Sequence, residues 1–229
     1  MSTFKETIII GVGGSLLVPD AIDTGFIAQL QEMVHNLINT GYRVVLVPGG
    51  GRTARNYQHA LKELGQYDVE TLDWIGIKAI HLNGELLLHV FQAIGINPAV
   101  IHKPEEISTI DAQLVLKFAF KPGNSSDVGA VKMAQSTGAQ KIINFSNISH
   151  VYNEDPRTNP DATPFDTLTW QEYRALIPGE WTPGLSAPFD PVAATLAEEA
   201  GITVAILGAS IENLKQYLAG ESFEGTIIS

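Results

Sequence analysis

The chain has 229 residues, 45% hydrophobic and 17% charged, with 12 prolines and no cysteine, which excludes a disordered or fibrous chain, a disulfide framework and a thiolate metal site or thiol nucleophile. A net charge of -11 argues against a nucleic-acid partner, whose backbone is held by clustered Lys and Arg. No apolar run approaches the ~18 residues of a membrane span and the opening MSTFKETIII lacks a leader pattern, so a soluble, cytoplasmic, single-domain α/β protein without a membrane partner is expected over residues 1–229.

Thr7–Val12, TIIIGV, is apolar on both faces, as a central parallel strand would be, and runs into Gly13-Gly14-Ser15. From Phe26 the apolar residues Phe26, Ile27, Leu30, Met33, Val34, Leu37 and Ile38 follow helical spacing, with Asp23 or Thr24 to cap the start and Gly41 to end it. Residues 44–55, VVLVPGGGRTAR, then pass from a β-branched run through three glycines into helix formers: a strand, a tight turn and a helix N-terminus. Without Cβ atoms, Gly49, Gly50 and Gly51 let backbone N–H groups approach a ligand closely, and a helix starting near Arg52 aims its partial positive charge at the same spot. Such a loop suits a phosphate.

Helical patterns follow at 53–64 and 69–94, the second interrupted by Gly76 and Gly84, and residues 72–88 read as core and interface. Strands are predicted at 99–102 and 113–120, the latter leading into Lys121-Pro122-Gly123-Asn124-Ser125-Ser126-Asp127. The hydroxyl and amide side chains there would cap the helix that starts near Asp127 and would also bind a ligand oxygen, with Lys121 supplying charge. A strand at 141–146 continues into a polar loop with ordered turns at 147–161. The rest reads as a helix at 169–176, a Gly/Pro-rich loop at 178–188, a helix at 190–200, strand Thr203–Leu207, a helix at 210–218 and strand Gly225–Ile228. This alternation predicts a three-layer αβα sandwich around a mostly parallel central sheet, with ligands at the C-terminal ends of the strands.

Two phosphate motifs can be tested against these loops. The P-loop fails because no Gly-Lys-Ser/Thr triplet occurs. The dinucleotide fingerprint fits Gly49-x-Gly51-x-x-Ala54, with an acid at 68–73, but leaves Gly13-Gly14-Ser15 and the segment at 152–155 without a role. Seven segments taken in order explain more: GGSLL at 13–17, VPGGGRTAR at 47–55, DWIGIKAIHLN at 73–83, KPGNSSD at 121–127, SNISHVYNEDPRTNPDA at 146–162, APFDPVAA at 187–194 and GTII at 225–228. Over almost its whole length the chain resembles the amino-acid kinase superfamily, and within it the UMP kinases of archaeal-like type.

That resemblance implies the amino-acid kinase fold, transfer of the γ-phosphoryl group of Mg-ATP to UMP in pyrimidine biosynthesis, and a homo-oligomer, by resemblance a hexamer. ATP and Mg²⁺ are the implied cofactors. By position, Gly14, Ser15, Gly51, Arg55, Ser146, Asn147, Tyr152 and Asp155 would hold ATP. Gly50, Asp73, Phe120, Lys121, Pro122, Gly123, Asn124, Ser125 and Ser126 would hold UMP, with Arg55, Lys121 and Ser15 nearest the chemistry, and Asp127 and Asp190 as helix caps or supports. No protein metal site is implied. The chemistry asks for little else: phosphoryl transfer needs two anions aligned and their charge offset, for which Arg55, Arg52 and Lys121 are the cations at hand. The chain departs from the pattern at Gly11, where many members carry Lys, and at His81, where relatives carry Arg. Other departures are Ser149-His150 for Asp-Gly, Phe118-Ala119-Phe120 for Gly-Gly-Thr, which would reshape the acceptor pocket, and Thr182 for Lys. Two further readings stay open: a kinase of this fold with another small acid acceptor, and a non-catalytic nucleotide- or oxyanion-binding oligomer like the molybdate-storage proteins. A Rossmann-type oxidoreductase ranks last.

Overall fold

The structure is a computed structural model that describes residues 4–180, 182, 185 and 187–229. Its strands are β1 (Thr7–Val12), β2 (Arg43–Pro48), β3 (Ala99–Ile101), β4 (Leu114–Lys117), β5 (Lys141–Phe145), β6 (Val151–Tyr152), β7 (Pro164–Phe165), β8 (Thr167–Leu168), β9 (Thr203–Leu207) and β10 (Gly225–Ile228). The helices are α1 (Gly14–Leu17), α2 (Thr24–Asn39), α3 (Gly51–Leu64), α4 (Val69–Gln92), α5 (Ser126–Thr137), α6 (Trp170–Leu176), α7 (Pro191–Glu199) and α8 (Ile211–Ala219), with a 3₁₀ turn at Pro104–Thr109.

Eight strands form one sheet in the order β3-β4-β2-β1-β5-β9-β10-β8, and β6 pairs with β7 in a separate hairpin. All pairings in the large sheet are parallel except β10 against β9. Strand alternation decides which face each side chain serves. Ile8, Ile10, Val44, Leu46, Leu114 and Leu116 pack with α2, α4 and α8, while Ile9, Val45, Val115, Ile142 and Val204 pack with α5, α6 and α7. Both faces are covered, which is why β1 and β2 read as continuous apolar runs. The sequence-predicted three-layer sandwich is the fold observed.

Apart from α1 and α3, which start at glycines, the helices start at side-chain oxygens that accept the otherwise unpartnered first-turn amides. Asp23, Asp68, Ser125, Thr169, Asp190 and Ser210 each do this, so Asp23 and not Thr24 caps α2. Asn213 then clamps the entry to β10, accepting from Glu224 N–H at 2.7 Å and donating to its carbonyl at 2.6 Å.

Several short features escaped the sequence reading. The Gly13-Gly14-Ser15 turn continues as one helical turn, residues 104–109 form the 3₁₀ turn, the polar segment 147–161 carries one strand of a hairpin, and its partner Pro164–Phe165 and the edge strand Thr167–Leu168 follow where no strand was expected. None is long enough for a periodicity to emerge. The Gly/Pro-rich stretch expected at 178–188 lies partly outside the described residues, as does the start of MSTFKETIII.

Candidate active site

Strand order places a switch at β1: the chain adds β2, β4 and β3 on one side, then returns to add β5 and β9 on the other. Parallel strands all end on the same edge, and loops after β1, β2, β4, β5 and β9 meet there.

At the centre of that edge the two glycine turns interlock backbone to backbone. A Cβ on Gly14 would lie 2.0 Å from Gly51 N, one on Gly49 would lie 2.6 Å from Gly14 N, and one on Gly51 would lie 2.2 Å from Gly14 O. Gly51 also has φ +64, a conformation that side chains disfavour. The turns are fixed by Gly49 N–H to Val12 O at 2.9 Å, Gly13 N–H to Phe145 O at 2.8 Å and Arg52 N–H to Val18 O at 3.0 Å. From α4, the buried Asn83 amide donates to Gly49 O at 2.8 Å. The turn after β1 and the N-terminal end of α3 thus converge with their backbones in contact.

The expected cations separate. Arg52 is engaged by Asp20 at 2.5 Å and by Pro19 O at 3.0 Å, whereas Arg55 has no acceptor among the described residues. Lys121 is exposed, its ammonium 5.7 Å from the Phe120 ring centre.

Asp73 is 7% exposed and accepts from Gly123 N–H at 2.6 Å, tying α4 to the loop that carries Phe120, Lys121, Pro122, Asn124, Ser125 and Ser126. Burial raises its pKa, and the Gly123 bond opposes that. Ser125 caps α5 through Val128 N–H at 3.2 Å, so one of the two roles expected for this loop is observed. Next to it, Asp190 caps α7 through Ala193 N–H at 2.8 Å, and Asp127 accepts Asp190 N–H at 2.9 Å. The Asp127 carboxyl is enclosed, and burial with the Asp190 charge pushes its pKa up to about 7 against the pull of the Asp190 N–H bond. Oδ2 of Asp190 is buried without a hydrogen bond among the described residues.

The segment that follows β5 carries Ser146, Asn147, Tyr152 and Asp155. Ser146 Oγ accepts from Ile148 N–H at 3.3 Å, and the Tyr152 hydroxyl lies 3.1 Å from Ser149 Oγ. Asp155 is held by Arg157 at 2.7 Å, whose hydrogen bonds lower its pKa to about 2. The buried Thr226 hydroxyl accepts from Val151 N–H at 2.8 Å and donates to Phe165 O, fixing the hairpin to β10.

Several departures from the family pattern have structural explanations. Phe118 points into the core, where a Cβ on Gly84 would come within 2.3 Å of its ring, so it leaves the pocket alone. His81 Nε2 is 2.6 Å from Ala119 O and its ring is 5.4 Å from that of Phe118. His150 contacts Ser149 Oγ at 3.1 Å, so the Ser149-His150 pair shapes the bend before β6. A Cβ on Gly11 would meet Asn144 Oδ1 at 3.3 Å, and Asn144 donates to Pro188 O at 2.6 Å.

The sequence reading passed over Asn83, Asn144 and Lys117, all polar groups in apolar runs and all buried. The break in pattern was their signal. Lys117 is the sharpest case, following Val115 by two along β4 and so sharing its α5-facing side.

Residues 6–208 match the Amino acid kinase family. The chain is 30% identical over 234 residues to a uridylate kinase of Hyperthermus butylicus, covering 98% of this chain and 99% of that one. A uridylate kinase of Methanocorpusculum labreanum is 32% identical, with 96% and 94% covered. Among solved structures, the uridylate kinase of Archaeoglobus fulgidus superposes with a TM-score of 0.78 at 26% identity over 97% of this chain and 99% of that one. The UMP kinase of Ureaplasma parvum shares the fold with a TM-score of 0.81 at 24% identity, covering 99% and 100%. With its fold, its glycine junction and its full-length relatives in agreement, the chain belongs to the amino acid kinase family.

Proposed function

We propose that this chain, acting as one domain, is a nucleoside monophosphate kinase that transfers the γ-phosphoryl group of Mg-ATP to UMP, giving UDP and ADP. The observation that supports this reading is the interlocked pair of glycine turns, which brings the backbone after β1 against the N-terminal end of α3, a junction suited to adjacent phosphate groups. In the transfer, a phosphate oxygen of UMP bonds to the γ-phosphorus as the bond to the β,γ-bridging oxygen breaks, and ADP leaves. That oxygen is already ionised, so the protein's task is alignment and charge compensation, with no nucleophile or base of its own.

In this reading Gly14, Ser15 and Gly51 face the ATP phosphates, Gly50 faces UMP, and Arg55 and Lys121 supply positive charge. Ser146, Asn147, Tyr152 and Asp155 lie on the ATP side, and the loop 120–126, anchored by Asp73, lies on the UMP side. Among the described residues no group of three or more His, Asp or Glu is placed to hold a metal. In this reading Mg²⁺ is carried on ATP, where it would supply charge neutralisation between the phosphates.

Another acid acceptor would rest on His81 and on Phe118-Ala119-Phe120, of which His81 and Phe118 are engaged structurally while Ala119 and Phe120 line the pocket beside the glycine junction. We place the enzyme in the cytoplasm as a homo-oligomer with ATP and UMP as its partners; no helix among the described residues is long and apolar enough to cross a membrane.

The test is coupled ADP release with Mg-ATP and UMP, CMP, dUMP, acetylglutamate, aspartate or carbamate. UMP-dependent turnover is expected. ATP binding without turnover of any acceptor would instead support the storage or binding reading.

A further inference from the structure

Beside the glycine junction, Val47 and Pro48 at the end of β2 open into a pocket walled by Ile80 of α4, Pro104 of the 3₁₀ turn, Phe120, and Val128 of α5. Those walls are apolar, Asn124, Ser125 and Ser126 complete the lining with polar groups, and Lys117 opens into it from β4 while only 6% exposed. Gly129 makes room for this lysine, since a Cβ there would lie 3.4 Å from the ammonium, and the Phe120 ring centre is 5.5 Å away. No described residue hydrogen-bonds to the ammonium. Its charged neighbours are Lys132 of α5, which opposes it, and Glu106 of the 3₁₀ turn, which favours it.

A lysine here is costly. Burial and Lys132 lower its pKa to about 8, where Val or Met on the same strand face would only gain from burial. Lys117 has three donors and no acceptor, so a ligand acceptor entering the pocket would satisfy it. Pro48 in the wall of this pocket stands two residues before Gly50, so in the kinase reading the pocket adjoins the place given to the UMP phosphate.

We propose that Lys117 is a specificity-determining residue that donates to the O4 carbonyl of a pyrimidine ring seated between Pro48, Ile80 and Phe120, selecting uracil over cytosine. This rests on the kinase reading above. At the same position cytosine carries an amino group, so donor would face donor and both would be desolvated without a partner. The apolar walls take the ring faces, and Lys121 and Lys132 make the pocket receptive to an electron-rich ring edge.

The experiment compares kcat and KM for UMP and CMP in the wild-type chain, Lys117→Met and Lys117→Gln. Wild type is expected to favour UMP by about 100-fold or more in kcat/KM, and Lys117→Met to lose about 10- to 100-fold for UMP, mostly through KM, with little change for CMP. Removing the buried charge should raise Tm near pH 7, which separates a binding loss from misfolding. Lys117→Gln, which retains a donor, should recover part of the preference. An unchanged UMP/CMP ratio in Lys117→Met, with wild type active on UMP, would overturn this inference alone. No acceptor turnover in wild type would overturn the kinase reading and this inference together.

Discussion

Arg52 and Arg55 lie three residues apart at the start of one helix, but only one is available to a substrate. Arg52 already satisfies Asp20 and Pro19 O, while Arg55 has no acceptor among the described residues. A charge-assisted hydrogen bond to a phosphate is worth about 1.5–3 kcal/mol, so Arg55→Ala should lower kcat/KM by about 10- to 100-fold. Arg52→Ala should stay within a few-fold, because it severs an exposed pair. Equal losses in steady-state kinetics would sink this division of labour. The Asp127–Asp190 pair yields a second residue-scale prediction. With the Asp127 pKa raised from 3.8 to about 7, the folded chain holds a proton that the unfolded chain releases, so stability falls as pH rises through that window and levels off above it. Asp127→Asn keeps an oxygen for the Asp190 N–H and removes the titration. Its gain over wild type in thermal melts should grow from pH 5 to pH 8, reaching on the order of 2 kcal/mol. A gain independent of pH would show that the carboxyl does not titrate in this range.

At the scale of elements, the glycine junction and the helix ends test the difference between a strained backbone and a crowded one. Gly51 and Gly138 both have positive φ, but a Cβ on Gly138 meets nothing within 4 Å while one on Gly51 runs into Gly14 O. Gly138→Ala should therefore cost about 1 kcal/mol, the conformational term alone. Gly51→Ala must also push α1 away from α3, so turnover should collapse while far-UV circular dichroism stays near wild type; comparable activity in both variants would argue against phosphates at the junction. These elements were largely legible in the sequence. Thr7–Val12, Thr203–Leu207 and Gly225–Ile228 match the expected strands end to end, and Asp23, Ser125 and Asp190 announce their helices because an accepting side chain precedes an apolar period. What stayed hidden was relational. That Gly14 packs on Gly51, that Asp73 holds Gly123, or that Asp155 is claimed by Arg157 depends on residues brought together by the fold, for which spacing along the chain carries no signal.

The whole molecule leaves one surface without an evident use for a lone chain. Along α4, Trp74 and Leu82 stand eight residues apart on one stripe, 40% and 64% exposed, and α3 adds Tyr57 and Leu64 at 63% and 79%. α3 buries only Gly51, Ala54 and Gln58, so its outer face is uncovered. Scattered apolar residues on a surface are ordinary, but aromatic and aliphatic side chains exposed on two helices that pack together are what the oligomer reading would use as a contact surface. A second copy of this chain is the occupant that the oligomer reading requires. The same α4 also supplies Asp73 to the 121–126 loop and Asn83 to Gly49, so pinning its outer side would steady its inner side. Trp74→Glu with Leu82→Glu should lower the mass seen by light scattering while the fold persists, and should raise KM for UMP more than it lowers kcat, since the loop that Asp73 anchors would loosen first. Wild type running as a monomer at micromolar concentration would overturn the oligomer. A smaller assembly with unchanged KM would keep the interface and break its link to the site.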